Sequence, residues 1–253
     1  MRQPRHERIV QLVKQQGFMS IEALAKELDV TPQTIRRDIN MLAESNVLKR
    51  FHGGAGLGSS VQNEDYSARQ VWNQGEKERI ATLVAQHIPD NASLFMNIGT
   101  TVETVARALL DHRGLRIITN NLNIASIFGG RQDFEVIIAG GVVRPRDGGI
   151  IGEATIDFIR QFKVDFAVIG ISGIDNDGTL LDFDYREVRV AQAIIEHSRQ
   201  IYLVADHGKF GRNAMVKLGH IGQVSALFTD ERPDDALIQQ MEAAGTKLFV
   251  ASE

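Results

Sequence analysis

Two rhythms of apolar residues alternate along most of this chain. From about residue 75 onward, short apolar runs of strand length recur at 93–98, 115–119, 134–139, 165–170, 200–205, 226–229 and 247–250, with segments of helical spacing between them. Residues 102–110 show the second rhythm: Val102, Val105, Ala106, Leu109 and Leu110 fall at i, i+3, i+4, i+7 and i+8 and form one stripe. The alternation predicts repeated strand-helix-strand units around a parallel sheet, an α/β, Rossmann-like body. Sheets of that kind take their ligands beyond the carboxyl ends of the strands.

The pattern over residues 5–46 fits three short helices instead. The second starts at Ser20, a good N-cap, runs through Ile21, Leu24, Ala25 and Leu28, and breaks at Asp29-Val30. The third starts with Thr31 as N-cap and Pro32 at the first helical position, where a missing N–H costs nothing. A break of three to four residues between two helices is helix-turn-helix spacing. Ile35, Ile39 and Leu42 face inward on the third helix, leaving Gln33, Thr34, Arg36, Arg37 and Asn40 for the polar side. Residues 47–51 followed by His52 and Gly53-Gly54 read as a hairpin wing carrying Lys49 and Arg50. The glycine-rich run 53–60 reads as the start of a flexible linker. The expected division is 1–57 for the head, 58–74 for the linker and 75–253 for the body.

Composition sharpens this picture at three points. A length of 253 residues suggests two domains at a prior of about 150 residues each. The absence of cysteine removes disulfides, thiolate nucleophiles and Cys-ligated zinc, and the seven histidines show no metal-ligand spacing. Charged residues (Arg2, Arg5, Glu7, Arg8, Lys14) interrupt the first twenty positions, and no apolar run approaches the roughly 20 residues of a membrane helix, so a cytoplasmic protein without membrane contact is expected. The net charge of −4 is unevenly spread: residues 1–60 hold 9 Lys+Arg against 6 Asp+Glu, and the remainder hold 19 against 26. A basic head on an acidic body places nucleic-acid binding on the head.

A polar helix face is by itself a solvated surface. Here the capped break, the proline start, the basic wing and the charge asymmetry converge on double-stranded DNA. Arginine grips guanine O6 and N7 with two bonds, and Gln or Asn does the same for adenine, so Gln33, Thr34, Arg36, Arg37 and Asn40 are expected to reach bases, and Lys49, Arg50 and His52 the backbone. In the body, Gly99-Thr100-Thr101 follows a strand and opens a helix, which is an anion site in outline. Asn120-Asn121, Gly140-Gly141 and Gly170 to Asp175 end the next three strands, bringing small or amide residues to the same sheet edge. Asp206 and Lys209 follow a later strand, the lysine suited to a phosphate and the carboxylate to a hydroxyl. No Gly-x-Gly-x-x-Gly opens the first strand and no Walker A motif exists, so no nucleotide cofactor is expected.

The run Thr31-Pro32-Gln33-Thr34-Ile35-Arg36-Arg37-Asp38, with Leu42 and then His52-Gly53-Gly54-Ala55, resembles the N-terminal winged helix-turn-helix of the DeoR-type bacterial regulators. Asp38 is typical there, with the role of orienting a neighbouring arginine. Residues 75–250 resemble the sensor domain of the same family, which is related in fold to ribose-5-phosphate isomerase. The resemblance implies a transcriptional repressor released by a phosphorylated sugar or polyol, acting as a homodimer or homotetramer. Residues 146–154 and 183–189 come closest, within the family, to members that respond to glycerol-3-phosphate, which implies that effector and control of glycerol catabolism. The alternative is a sugar-phosphate isomerase with an accessory DNA-binding head, using Glu187 or Asp206 as base. No paired acid is visible after the fourth strand, where residues 173–178 read as a turn, so sensing without turnover is the expectation.

Overall fold

A computed structural model describes residues 4–16, 18–44, 47–51, 53–56 and 63–251. Helices α1 (Pro4–Gln16), α2 (Ile21–Glu27) and α3 (Pro32–Glu44) enclose a core of Ile9, Val13, Leu24, Ile35, Ile39 and Leu42. Both expected caps form. Ser20 Oγ accepts from the Ala23 amide at 3.1 Å, and Thr31 Oγ1 accepts from the Thr34 amide at 3.2 Å. Strands β1 (Phe18–Ser20), β2 (Lys49–Phe51) and β3 (Gly54–Gly56) make an antiparallel sheet in the order β1-β3-β2. The expected wing is therefore present, and Gly54–Gly56, part of a glycine-rich run read as ending the head without propagating a strand, is its central strand. Its glycines are buried, and pairing on both sides offsets the backbone entropy that argues against a glycine strand.

After residue 62 the chain forms α4 (Tyr66–Val71), α5 (Gln74–Ala85), β4 (Ser93–Met96), α6 (Thr100–Ala108), β5 (Arg116–Thr119), α7 (Leu122–Phe128) and β6 (Glu135–Ile138). A short ribbon follows, β7 (Val142–Val143) with β8 (Ile150–Ile151), then α8 (Glu153–Ile159) and β9 (Val164–Gly170). The remainder comprises β10 (Gly173–Ile174), β11 (Thr179–Asp182), α9 (Tyr185–Glu196), β12 (Ser198–Val204), β13 (Val216–His220), β14 (Ala226–Thr229), α10 (Asp235–Ala244) and β15 (Lys247–Val250). All seven expected strand runs lie in one parallel sheet, ordered β6-β5-β4-β9-β12-β14-β15.

Both faces of this sheet are covered, as a parallel sheet requires. Leu94 and Met96 of β4 join Phe166 and Val168 of β9 in the core under α5, α6 and α7, while Phe95, Ala167 and Ile169 alternate into the core under α8, α9 and α10. The strand order reverses between β4 and β9, which opens a crevice at their carboxyl ends. Strands β10, β11 and β13 form a separate antiparallel sheet that the sequence reading did not anticipate, because two of them are too short for periodicity to register. The expected turn at residues 175–178 does form, joining β10 to β11. Among the described residues no helix is long and apolar enough to cross a membrane.

Candidate functional site

On the head, Gln33, Arg36, Arg37 and Asn40 are exposed along α3, opposite buried Ile35, Ile39 and Leu42. Thr34 is half-buried, its hydroxyl 3.0 Å from that of Thr31. Arg50 Nη1 on the wing donates to Asn40 Oδ1 at 3.1 Å, tying β2 to α3, and Lys49 is exposed beside Glu64 at 3.4 Å. His52 lies outside the described residues. Asp38 does orient an arginine, though one from α1: its carboxylate accepts from Arg5 Nε at 2.6 Å and Nη2 at 3.1 Å, and from His6 Nε2 at 3.0 Å. Burial alone would push the Asp38 carboxyl up, but these donors outweigh it and hold it below the usual carboxylate range.

In the body a narrow cleft opens at the crevice between β4 and β9. Gly99, Thr100, Thr101, Gly170 and Lys209, five of the residues singled out from sequence, line it together. Gly99 has φ +139°, which only glycine adopts without strain, and no side chain caps the start of α6. The first amides of this nine-residue helix are thus left for a ligand at the positive end of the helix dipole. The Lys209 ammonium makes no side-chain hydrogen bond or ion pair among the described residues. Burial, with repulsion from Arg212, Arg69 and Lys77 added, pulls its ammonium down to about 8 against the opposing pull of Asp206. Burial likewise lowers Arg212, which donates from Nη1 to Ser172 O at 3.2 Å and from Nη2 to Asn63 Oδ1 at 3.0 Å, both neutral acceptors. A group of cations short of counter-charge beside open helix amides is suited to a phosphate dianion.

The lining also carries carboxyl groups. Asp147, Asp182 and Glu187 face the cleft, and the buried Arg144 gathers Asp147 at 2.6 Å, Glu187 at 2.6 Å and Asp184 at 3.4 Å. One guanidinium cannot satisfy so many acids: burial and neighbouring Asp182 push Glu187 up to about 8, and burial raises Asp182 as well. Protonated or charged, such groups bind hydroxyls. The cleft therefore brings cations and carboxyl groups to one lining, the cations and open amides suited to a phosphate and the carboxyl groups to hydroxyls.

Several expected ligands lie elsewhere. Asn120 Nδ2 donates to Ile150 O at 3.0 Å, and Asn121 caps α7 through the Asn123 amide while donating to Glu103 at 3.0 Å; both are buried braces outside the cleft. Gly140 O accepts from Thr155 Oγ1 at 2.9 Å, and a Cβ on Gly141 would meet that hydroxyl at 2.2 Å, so this pair is packing glycine. Asp175 is exposed in the β10–β11 turn. Asp206 does not line the cleft; its Oδ1 accepts from Asn73 Nδ2 at 2.8 Å and the Gly208 amide at 3.0 Å, leaving it to attract Lys209 from behind. Asn63, Tyr66, Arg69, Asp147 and Asp182 were not anticipated, and Glu187 was expected only as the base of the alternative enzyme. Their spacing forms no motif, because they converge from the segment before α5, from β11 and α9, and from the turn after β7.

Family models match this chain over two stretches: a DeoR-like helix-turn-helix domain over residues 5–61 and a DeoR C terminal sensor domain over residues 72–231. The chain belongs to the DeoR family. This DeoR-family protein is 57% identical over 235 residues to the glycerol-3-phosphate regulon repressor of Escherichia coli (strain K12), covering 93% of each chain. It is 52% identical to the protein of that name in Haemophilus influenzae, over 98% of this chain and 96% of the relative. It is also 44% identical to the HTH-type transcriptional repressor CsqR of Escherichia coli (strain K12), over 99% and 96%. In outline alone it shares features with ribose 5-phosphate isomerase A from Methanocaldococcus jannaschii, at TM-score 0.40 and 11% identity over 55% of either chain. This DeoR-family chain is a transcriptional repressor, not an enzyme.

Proposed function

We propose that this repressor binds its operator through the head and is released when glycerol-3-phosphate occupies the body, so that genes of glycerol catabolism are expressed when their intermediate accumulates. The observation that carries the reading is a cleft lined by the open amides of α6, the Lys209 ammonium and carboxyl groups, in a chain 57% identical to a glycerol-3-phosphate regulon repressor. The reading assigns base contacts to Gln33, Thr34, Arg36, Arg37 and Asn40 and phosphate contacts to Lys49, Arg50 and His52. In the body it assigns the effector phosphate to Gly99, Thr100, Thr101 and Lys209, with Gly170 bounding the cleft and Arg212 adding charge.

The same reading keeps the head at residues 1–57 and the body from 75 onward, in a cytoplasmic protein that pairs with copies of itself to place two heads on DNA. Titration of the purified protein onto a fluorescent operator fragment, repeated with glycerol-3-phosphate, glucose-6-phosphate and inorganic phosphate, tests it. Release by glycerol-3-phosphate at the lowest concentration is expected, and release by glucose-6-phosphate alone would overturn the effector.

A further inference from the structure

Residues 63–73, which connect the head to the first long helix of the body, are fastened to the cleft at every turn. Asn63 accepts from Arg212 at 3.0 Å. Tyr66 Oη donates to Glu103 Oε2 at 2.6 Å and accepts from Asn123 Nδ2 at 2.9 Å. Arg69 Nη2 lies 3.9 Å from Asp147, and the buried Lys77 ammonium donates to the Arg69 carbonyl. Asn73, in a left-handed conformation with φ +51°, donates to Asp206 at 2.8 Å. No residue of α4 is buried, so these polar anchors rather than apolar packing hold the segment in place.

Three of its residues, Asn63, Tyr66 and Arg69, line the cleft itself. Arg69 is one of the cations that oppose charge on Lys209 and Arg212, so its placement works against its neighbours. A dianion between them reverses that balance and draws Arg69 inward. Only residues 57–62 separate Asn63 from Gly56 at the end of the wing, a span of at most about 25 Å when fully extended. Glu64, the residue after Asn63, also pairs with Lys49 of the wing.

We propose that residues 63–73 are a strap that forms one wall of the effector cleft, with Tyr66 and Arg69 as direct ligands of the bound phosphorylated polyol, so that the effector fixes the segment that leads to the DNA-binding head. The proposal rests on the reading of this cleft as the effector site. Arg69 and Tyr66 then serve both affinity and release, and the coupling needs no path through the sheet.

The chain supplies its own reporter, because its single tryptophan, Trp72, is the residue that ends α4 and is 38% exposed. The full-length protein is titrated with glycerol-3-phosphate in a calorimeter, and acrylamide quenching of Trp72 is measured over the same concentrations, with inorganic phosphate and glycerol as separate probes. Quenching is expected to fall along the calorimetric curve. Arg69→Ala is expected to weaken the effector about tenfold or more, the effect of one lost charge-assisted contact, and Tyr66→Phe to weaken it by a smaller factor and to protect Trp72 less at saturation. Binding heat with unchanged Trp72 quenching overturns the strap and leaves the effector site standing. So does wild-type affinity and release in Arg69→Ala. Absence of binding heat for glycerol-3-phosphate in the wild type overturns the effector reading and the strap with it.

Discussion

Lys209 is the residue on which burial, charge and function meet. With a native pKa near 8 in place of 10.5, it binds fewer protons than the unfolded chain between those values, so its contribution to stability rises with pH across that window. A bound phosphate favours the charged form, so effector affinity should fall as pH rises through about 8, with a proton taken up on binding above that point. Calorimetry at pH 8.5 in two buffers of different ionisation heat, with pH chosen about half a unit above that value, measures the uptake; it should shrink in Lys209→Ala, and equal uptake in both proteins would remove Lys209 from the phosphate site. Glu187 has the opposite sign. Its carboxyl keeps its proton to about 8 in the native state and only to 4.5 when unfolded, so its contribution to stability is present at acid pH and lost by pH 8. Glu187→Gln should therefore raise Tm at pH 8.5 by about 2–4 °C, the shift expected of roughly 1 kcal/mol in a chain of this size, and change it little at pH 5. A lower Tm at pH 8.5 would show that its pairing with Arg144 dominates instead. Lys209 stood out in sequence only through convergence with other strand ends, since a lone lysine there is as readily a solvated charge, whereas Arg144 and its three acids form no local pattern, because nothing local links residues 144–147 to 184–187.

At the scale of elements, the head was legible through its caps and its periodicity. Ser20, Thr31 and Pro32 mark helix starts by local hydrogen bonding, which needs no knowledge of the rest of the fold. The strand at Gly54–Gly56 and the docked segment at 66–71 were not, because each owes its form to partners distant in sequence. Replacing Arg36 or Arg37 by Ala should cost roughly 1–3 kcal/mol of operator binding and relax base preference, whereas Lys49→Ala should weaken all duplexes about equally and flatten the salt dependence. Competition titrations with operator and random DNA separate the two patterns, and unchanged operator affinity in both arginine variants would remove α3 as the reading surface. Asp38→Ala leaves Arg5 and His6 without their shared acceptor and should lower the stability of the head by about 1–3 kcal/mol. Thermal unfolding measures that loss, and an unaltered transition would show that the α1–α3 tie is not structural.

For the whole molecule, the seven strands of a parallel sheet and the carboxyl-end edge as the candidate ligand side followed from pattern and from general rules of such sheets, whereas the strand order and the crevice between β4 and β9 emerge only in the structure. Part of the cleft's lining, Asn63, Tyr66 and Arg69, lies on the strap, whose glycine-rich approach reads as slack chain until its anchors to Ser172, Glu103 and Asp206 are seen. One head spans few base pairs, so the working species should carry two, on half-sites about 10–10.5 base pairs or a multiple apart. Light scattering with the operator fragment checks this, and a monomer with full operator affinity would contradict it. The central claim is that a phosphorylated polyol in the cleft lowers affinity for DNA at the head, with a coupling of about 1–3 kcal/mol that must be equal in both directions. The most direct measurement is an operator titration of wild type and Lys209→Ala, each with and without glycerol-3-phosphate. Wild type should release and Lys209→Ala should bind operator normally yet fail to release; release of Lys209→Ala at the same effector concentration as wild type would contradict the account.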